Sequence, residues 1–201
     1  PQPGDIRFEQ VDFAYNRKKV LDQVSIVIQA KKLTAIVGPS GSGKTTLCSL
    51  IARFWDVNAG RILIGDADIR DYNLSSLMRQ ISMVFQNVYL FADTIENNIK
   101  FGKPNATHEE VVAAAKEACC HDFIMALPDG YQTMIGEGGA SLSGGEKQRI
   151  SIARALIKDA AIVIFDEATA NVDPENEDKL QHAIEALTRD KTVIMIAHRL
   201  K

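Results

Sequence analysis

Residues Gly38–Thr45 read GPSGSGKT: two glycines with four residues between them, then a lysine and a hydroxyl residue. This is the spacing of a phosphate-binding loop. Gly38, Gly41 and Gly43 lack a Cβ, so the backbone there can take left-handed angles and come close to a ligand. Successive N–H groups then turn inward as a nest for phosphate oxygens, with a helix N-terminus behind them. Lys44 stands where it would neutralise β- and γ-phosphates, and the Thr45 hydroxyl where it would ligate Mg²⁺. The flanks agree. Leu33–Val37 (LTAIV) is a short apolar run of the kind that forms a buried parallel strand, and Thr46–Phe54 (TLCSLIARF) carries apolar residues at helical spacing. The binding stretch is expected to be Gly38, Pro39, Ser40, Gly41, Ser42, Gly43, Lys44, Thr45 and Thr46, and its ligand a nucleoside triphosphate.

Upstream of the loop, Ile6, Phe8 and Val11 suggest a first strand, with Phe13 and Tyr15 in the alternating run VDFAY. A basic turn at Asn16–Lys19 leads to a strand at Val24–Ile28, and Arg61–Ile64 reads as a third beyond the turn Asn58-Ala59-Gly60. Together they suggest a small antiparallel sheet beside the loop. Tyr15 is the candidate there for stacking on an adenine ring, a contact worth roughly 1–3 kcal/mol.

Downstream, Leu74–Arg79 reads as a short helix and Ile81–Phe85 as a buried strand running into Gln86. From Asn87 to about Leu156 helical signals dominate, so a helical lobe is expected within the α/β core. Thr107 and Glu110 have capping-box spacing. So do Ser143 and Glu146, which open a helix with apolar residues Ile150, Ala153, Leu156 and Ile157 on one face. A capping box does not explain the adjacent Gly144 and Gly145, each of which costs about 1 kcal/mol against Ala in a helix. Bare N–H groups at a helix N-terminus make a second anion site, although one nucleotide hardly needs two cradles from one chain. Ala160–Phe165 is a continuous apolar strand delivering Asp166 and Glu167 to the edge where open α/β sheets bind ligands. Asp166 suits a role at Mg²⁺, and Glu167 that of a general base. Asp173-Pro174 has the pattern of an N-cap followed by Pro at the first helical position. Thr192–Ala197 is a last buried strand, ending in His198; His108, His121 and His182 read as surface or helix residues.

Composition sets bounds on the rest. At 201 residues, 46% hydrophobic and 24% charged, the chain can bury a real core, and a net charge of -3 offers no basic footprint for nucleic acid. It contains no apolar run of 18 residues, so no membrane span is expected within it. Cys48, Cys119 and Cys120 lack metal-ligand spacing and suggest reduced thiols in a cytosolic compartment.

The motif set resembles the nucleotide-binding domain of ATP-binding cassette (ABC) transporters over essentially the whole chain. GPSGSGKT, Gln86 as the glutamine loop, LSGGE as a variant of the LSGGQ signature, IVIFDE as Walker B, Asp173 as the D-loop aspartate and His198 as the switch histidine stand in that family's order. The resemblance implies a P-loop α/β core with a mainly parallel sheet and a small antiparallel β subdomain (1–86 and 157–201), and a helical subdomain at 87–156. It implies ATP and Mg²⁺ as ligands, with Thr45, Gln86 and Asp166 at the metal and Lys44, Gln86, Glu167 and His198 in hydrolysis. It also resolves the two cradles: two such domains pair head to tail, and each ATP lies between one chain's loop and the other's Ser143, Gly144, Gly145 and Glu146, with Asp173 at the interface. TIENNIKFG (Thr94–Gly102), TMIGEGG (Thr133–Gly139) and the opening PGDIRFEQVDFAY are similar to exporter-type cassettes. An exporter half-transporter is implied, working with membrane-spanning domains at the cytoplasmic face of a membrane, with the domain's last part and the membrane part lying outside this chain. The competing classes are a soluble superfamily ATPase acting on ribosomes or DNA, and a non-hydrolysing nucleotide sensor.

Overall fold

A computed structural model of the protein describes residues 4–85, 88–136, 140–166 and 174–197. In chain order the strands are β1 (Ile6–Tyr15), β2 (Lys18–Ile28), β3 (Leu33–Val37), β4 (Ala59–Ile64), β5 (Ala67–Asp68), β6 (Ile81–Val84), β7 (Asp93–Thr94), β8 (Met134–Ile135), β9 (Ile162–Asp166) and β10 (Thr192–Ala197). The helices are α1 (Lys44–Ile51), α2 (Leu74–Arg79), α3 (Ile95–Lys100), α4 (His108–Glu117), α5 (His121–Ala126), α6 (Gly144–Lys158) and α7 (Pro174–Thr188). They fall into two compact units: Pro1–Met83 with Ala160–Glu167 and Asp190–Lys201, and Val84–Asp159 with Ala168–Arg189.

The first unit holds two sheets. One is antiparallel in the order β2-β1-β4-β5. Its first strand explains an irregularity of the sequence: Ile6, Phe8, Val11 and Phe13 are all buried although the alternation slips between Phe8 and Val11. Gln10 takes a φ of 47°, the β1–β2 register shifts there, and Gln23 on β2 takes a φ of 44°. The bulge absorbs the extra residue and returns Val11 to the core face. The other sheet has the order β3-β10-β9-β6, with β3, β10 and β9 parallel. One core joins both sheets to α1 and α2, through Phe8, Leu50, Ile62, Leu77, Ile164 and Ile194. Truncating a fully buried Leu50 or Ile62 to Ala would cost about 2–5 kcal/mol.

LTAIV departs from expectation. The strand is parallel, but among the described strands it pairs only with β10 at the sheet edge, and Leu33 and Val37 are 55% and 47% exposed. An apolar run does not distinguish a central strand from an edge; β9, flanked on both sides, is the one with four successive buried residues.

The second unit is helical, built around α6, which packs on α3, α4 and α7. That environment changes the expected one-sided pattern. Every residue from Gln148 to Ala153 is buried, whereas Leu156 and Ile157 are half-buried. The boundary expected at 157–201 grouped α7 with the sheets, whereas its contacts run to α6 and α4. A two-stranded antiparallel ribbon, β7–β8, also lies in this unit, with Asp93 opposite Ile135 and Thr94 opposite Met134. Its strands are too short to leave a periodic trace in the sequence. The ribbon joins the two stretches singled out above, TIENNIKFG and TMIGEGG, and the Ile95 N–H extends the pairing by donating to the Thr133 carbonyl at 3.0 Å.

Candidate nucleotide site

The loop connects β3 to α1, and its glycines serve different needs. Gly41 and Gly43 take φ of 79° and 92°. A Cβ on Gly43 would also meet Val20 Cγ1 at 3.2 Å and Leu21 Cδ2 at 3.3 Å, so the fold demands glycine there twice over. Gly38 has no left-handed φ, contrary to the reason given for it above. A Cβ there would lie 2.8 Å from Ser42 Oγ, a contact that rotation of the serine side chain relieves, so the fold does not demand glycine at this position. The Ser42 N–H donates to the Pro39 carbonyl at 3.2 Å and tightens the turn. The buried Lys44 bridges the loop, its ammonium donating to the Gly38 and Pro39 carbonyls at 2.6 and 2.8 Å. Pro39, Ser40, Gly41, Ser42 and Thr45 are exposed.

The loop lines a groove of about 470 Å³ together with Tyr15, Lys18, Lys19 and Val20. Tyr15 packs edge-on to Phe13 (4.8 Å between centroids) and to Trp55 (5.5 Å), so it belongs to an aromatic cluster and also borders the groove. Thr46 is buried, and its hydroxyl donates to the Tyr15 hydroxyl at 3.3 Å. It braces the aromatic cluster against α1, and Thr46 also lines the groove. Sequence reading passed over Trp55 and Lys18. The basic turn at Asn16–Lys19 was the available signal for the lysine, because cations beside a phosphate nest suit a polyanion.

Asp166 ends β9 opposite Ile196 of β10, while Ala197 lies opposite Val37, the residue before the loop. The carboxylate and the phosphate loop therefore share one sheet edge with a single strand between them. Asp166 is also near α1: burial pushes the Cys48 thiol up to about 12, and the Asp166 charge adds to that shift. The hydroxyl of Thr45 and the carboxylate of Asp166 are hard oxygen donors of the kind Mg²⁺ takes. Gln86, Glu167, Asp173 and His198 lie outside the described residues.

At the head of α6 the expected capping box is present. Ser143 Oγ accepts from the Glu146 N–H at 3.2 Å, and Glu146 Oε1 accepts from the Ser143 N–H at 2.9 Å. The Glu146 carboxylate is thus committed to the helix. Gly144 is exposed, and a Cβ built on it meets nothing within 4 Å. The fold does not require glycine at that position. The sequence reading missed two residues of this helix. Arg149 is buried, donates to the Cys119 carbonyl at 2.8 Å and lies 5.2 Å from the Phe123 ring centroid. Arg154 reaches Asn98 and Tyr89. The one available signal is that Arg154 follows the apolar Ile150 by four residues and so shares its helix face.

A left-handed glycine loop between a parallel strand and a helix, with an acidic strand end on the same sheet edge, defines a P-loop nucleotide-binding domain. The sequence profile of the ABC transporter family matches residues 21–170. The chain is 52% identical over 195 residues (97% of the chain) to the ATP-dependent lipid A-core flippase of Syntrophus aciditrophicus, and 49% identical over 201 residues (98% of the chain) to the mitochondrial iron-sulfur clusters transporter ATM1 of Gibberella zeae. It covers 32% and 29% of those proteins. Among solved structures, a bacterial Atm1-family ABC exporter with ATP bound superposes with a TM-score of 0.90 at 44% identity, over 98% of this chain and 35% of that one. The chain belongs to the ABC transporter family, as an ATP-binding domain, and spans about a third of the length of these relatives. No helix among the described residues is long and apolar enough to cross a membrane.

Proposed function

We propose that this chain is one nucleotide-binding domain of an exporter, hydrolysing ATP to drive transport through membrane-spanning segments encoded elsewhere in the polypeptide. The observation that carries the reading is the groove itself, lined by a left-handed glycine loop and Lys44 together with Tyr15 and two lysines. Loop N–H groups and Lys44 hold the triphosphate tail, and Tyr15 stacks on the base. Thr45, Asp166 and Gln86 hold Mg²⁺, which when bound neutralises developing charge on the phosphoryl oxygens. Glu167 takes a proton from the attacking water, and His198 contacts the γ-phosphate and orients that base.

The second cradle, Ser143 to Gly145, serves the ATP of a partner domain, with Asp173 at the joint. Gly144 supports this: its backbone is ordinary and its surroundings open, so the missing side chain keeps the helix tip bare for an anion. ATP favours the closed pair because both cradles hold it there, and hydrolysis removes the contact that bound them. The domain would sit at the cytoplasmic face of the membrane. Phosphate release by the full-length protein tests the reading. Glu167→Gln should abolish turnover while preserving ATP-dependent pairing, and hydrolysis at the parental rate would remove Glu167 as the base.

A further inference from the structure

We infer that Arg154 is a positioning residue that ties the aromatic segment 89–101 to α6, so that displacement of the glycine tip of α6 is carried into that segment. The inference rests on the reading of Ser143 to Gly145 as a phosphate cradle.

Three hydrogen bonds leave one guanidinium for one stretch of chain. Nε donates to the Asn98 carbonyl at 2.9 Å, Nη1 to the Tyr89 carbonyl at 3.0 Å, and Nη2 to Asn98 Oδ1 at 3.2 Å. The same group lies 5.4 Å from the Phe91 ring centroid and 5.7 Å from that of Phe101. Asn98, fully buried, gathers the segment from within: Oδ1 accepts from the Phe91 N–H at 2.8 Å, and Nδ2 donates to the Phe91 and Thr94 carbonyls at 3.1 and 2.9 Å. Gly102 supplies an independent observation. A Cβ there would lie 2.1 Å from the Arg154 carbonyl oxygen, so the end of the segment rests directly on the α6 backbone at this residue. The β7–β8 ribbon then fastens residues 133–135 to the same body.

An apolar side chain could not bond the Tyr89 and Asn98 carbonyls. A planar guanidinium does so with fixed geometry, although burial disfavours its charge. From Ser143 to Arg154 is roughly 16 Å along a helix rising 1.5 Å per residue. One rigid rod thus has the bare glycine tip at one end and the clamp at the other. Beyond the clamp, Tyr89 and Phe101 stand 71% and 62% exposed, so whatever α6 delivers is presented at the surface.

The test is hydrogen exchange on the full-length protein, with and without ATP, read at amides 89–102 and 143–150. Both stretches should respond in the parent. In Arg154→Lys the 143–150 response should persist while that of 89–102 falls about threefold or more, the scale of a 0.5–2 kcal/mol change in coupling. Export per ATP hydrolysed should fall with it. Equal responses in Arg154→Lys and parent overturn the strut, and so does joint loss of both responses, which would make Arg154 a purely structural residue. Should lysine not be tolerated, Phe101→Leu removes one ring at an exposed position and must still weaken the 89–102 response; an unchanged response refutes the inference. A parent silent at 143–150 overturns the cradle reading itself, and the strut with it.

Discussion

The molecule opens two helices on glycine-bearing stations, α1 after Gly43 and α6 at Gly144, and they are built on different terms. In the phosphate loop the fold dictates glycine: Gly41 and Gly43 take φ of 79° and 92°, and Gly43 sits against Val20 and Leu21. At the head of α6 the fold is indifferent to Gly144, whose backbone is unstrained and whose surroundings are open. A glycine that the architecture requires says little about a ligand by itself. A glycine that the architecture could replace at no local cost points outward, to something that must approach the backbone.

That contrast can be broken or sharpened by experiment. The largest effect is expected outside both stations: Glu167→Gln should lower turnover by about 10²–10⁴-fold, the usual worth of a general base, as read by phosphate release. Next comes Lys44→Ala, which should weaken ATP binding by about 10–100-fold, since a hydrogen bond to a charged group contributes about 1.5–3 kcal/mol. Titration calorimetry would detect it, and unchanged affinity would dissolve the loop assignment.

The comparison itself is decided by alanine at the two glycines. Gly43→Ala should lower unfolding stability by about 1–3 kcal/mol, the cost of a strained left-handed residue. Gly144→Ala should leave stability within about 1 kcal/mol of the parent, or raise it, because Ala is the better helix former. It should still depress ATP turnover by the paired domains. Equal destabilisation at the two sites would erase the distinction.

Alkaline pH probes both units through their buried thiols. Burial pushes Cys48 and Cys120 up to about 12, in the second case against the pull of the Arg149 charge. A raised pKa means that the folded state holds the proton more tightly. This contribution is therefore intact below the unfolded thiol value near 8.5 and is lost as pH climbs from there towards 12. Denaturant midpoints should fall over that window, and Cys48→Ser and Cys120→Ser should each flatten the decline. The smallest effect belongs to Glu146→Gln, which keeps the reciprocal cap and should change stability by less than about 0.5 kcal/mol. Ser143→Ala, which removes the cap oxygen, should cost about 1 kcal/mol.

How legible these features were depended on how local their causes are. Capping boxes at Thr107 and Ser143 depend on residues three apart, and both formed as the sequence indicated. The strands β1, β9 and β10 were readable from alternation or from continuous apolar runs. The β7–β8 ribbon was not, because two-residue strands carry no period and exist only through each other. Thr46 reads as part of the binding loop and does line the groove, but the partner of its hydroxyl, Tyr15, lies 31 positions away. Nothing local points to the acceptors of Arg154, which lie at positions 89 and 98.

The sequence by itself determined the chemistry on offer: a phosphate loop, an acidic strand end, and a second glycine-tipped helix. These are properties of residue type and short spacing, which the chain carries before it folds. Tertiary structure decided which strand became an edge, that α7 packs with the helical unit, and that one arginine on α6 gathers a segment more than fifty residues away. Burial and long-range hydrogen bonding depend on what the rest of the chain brings alongside, and no local pattern encodes that.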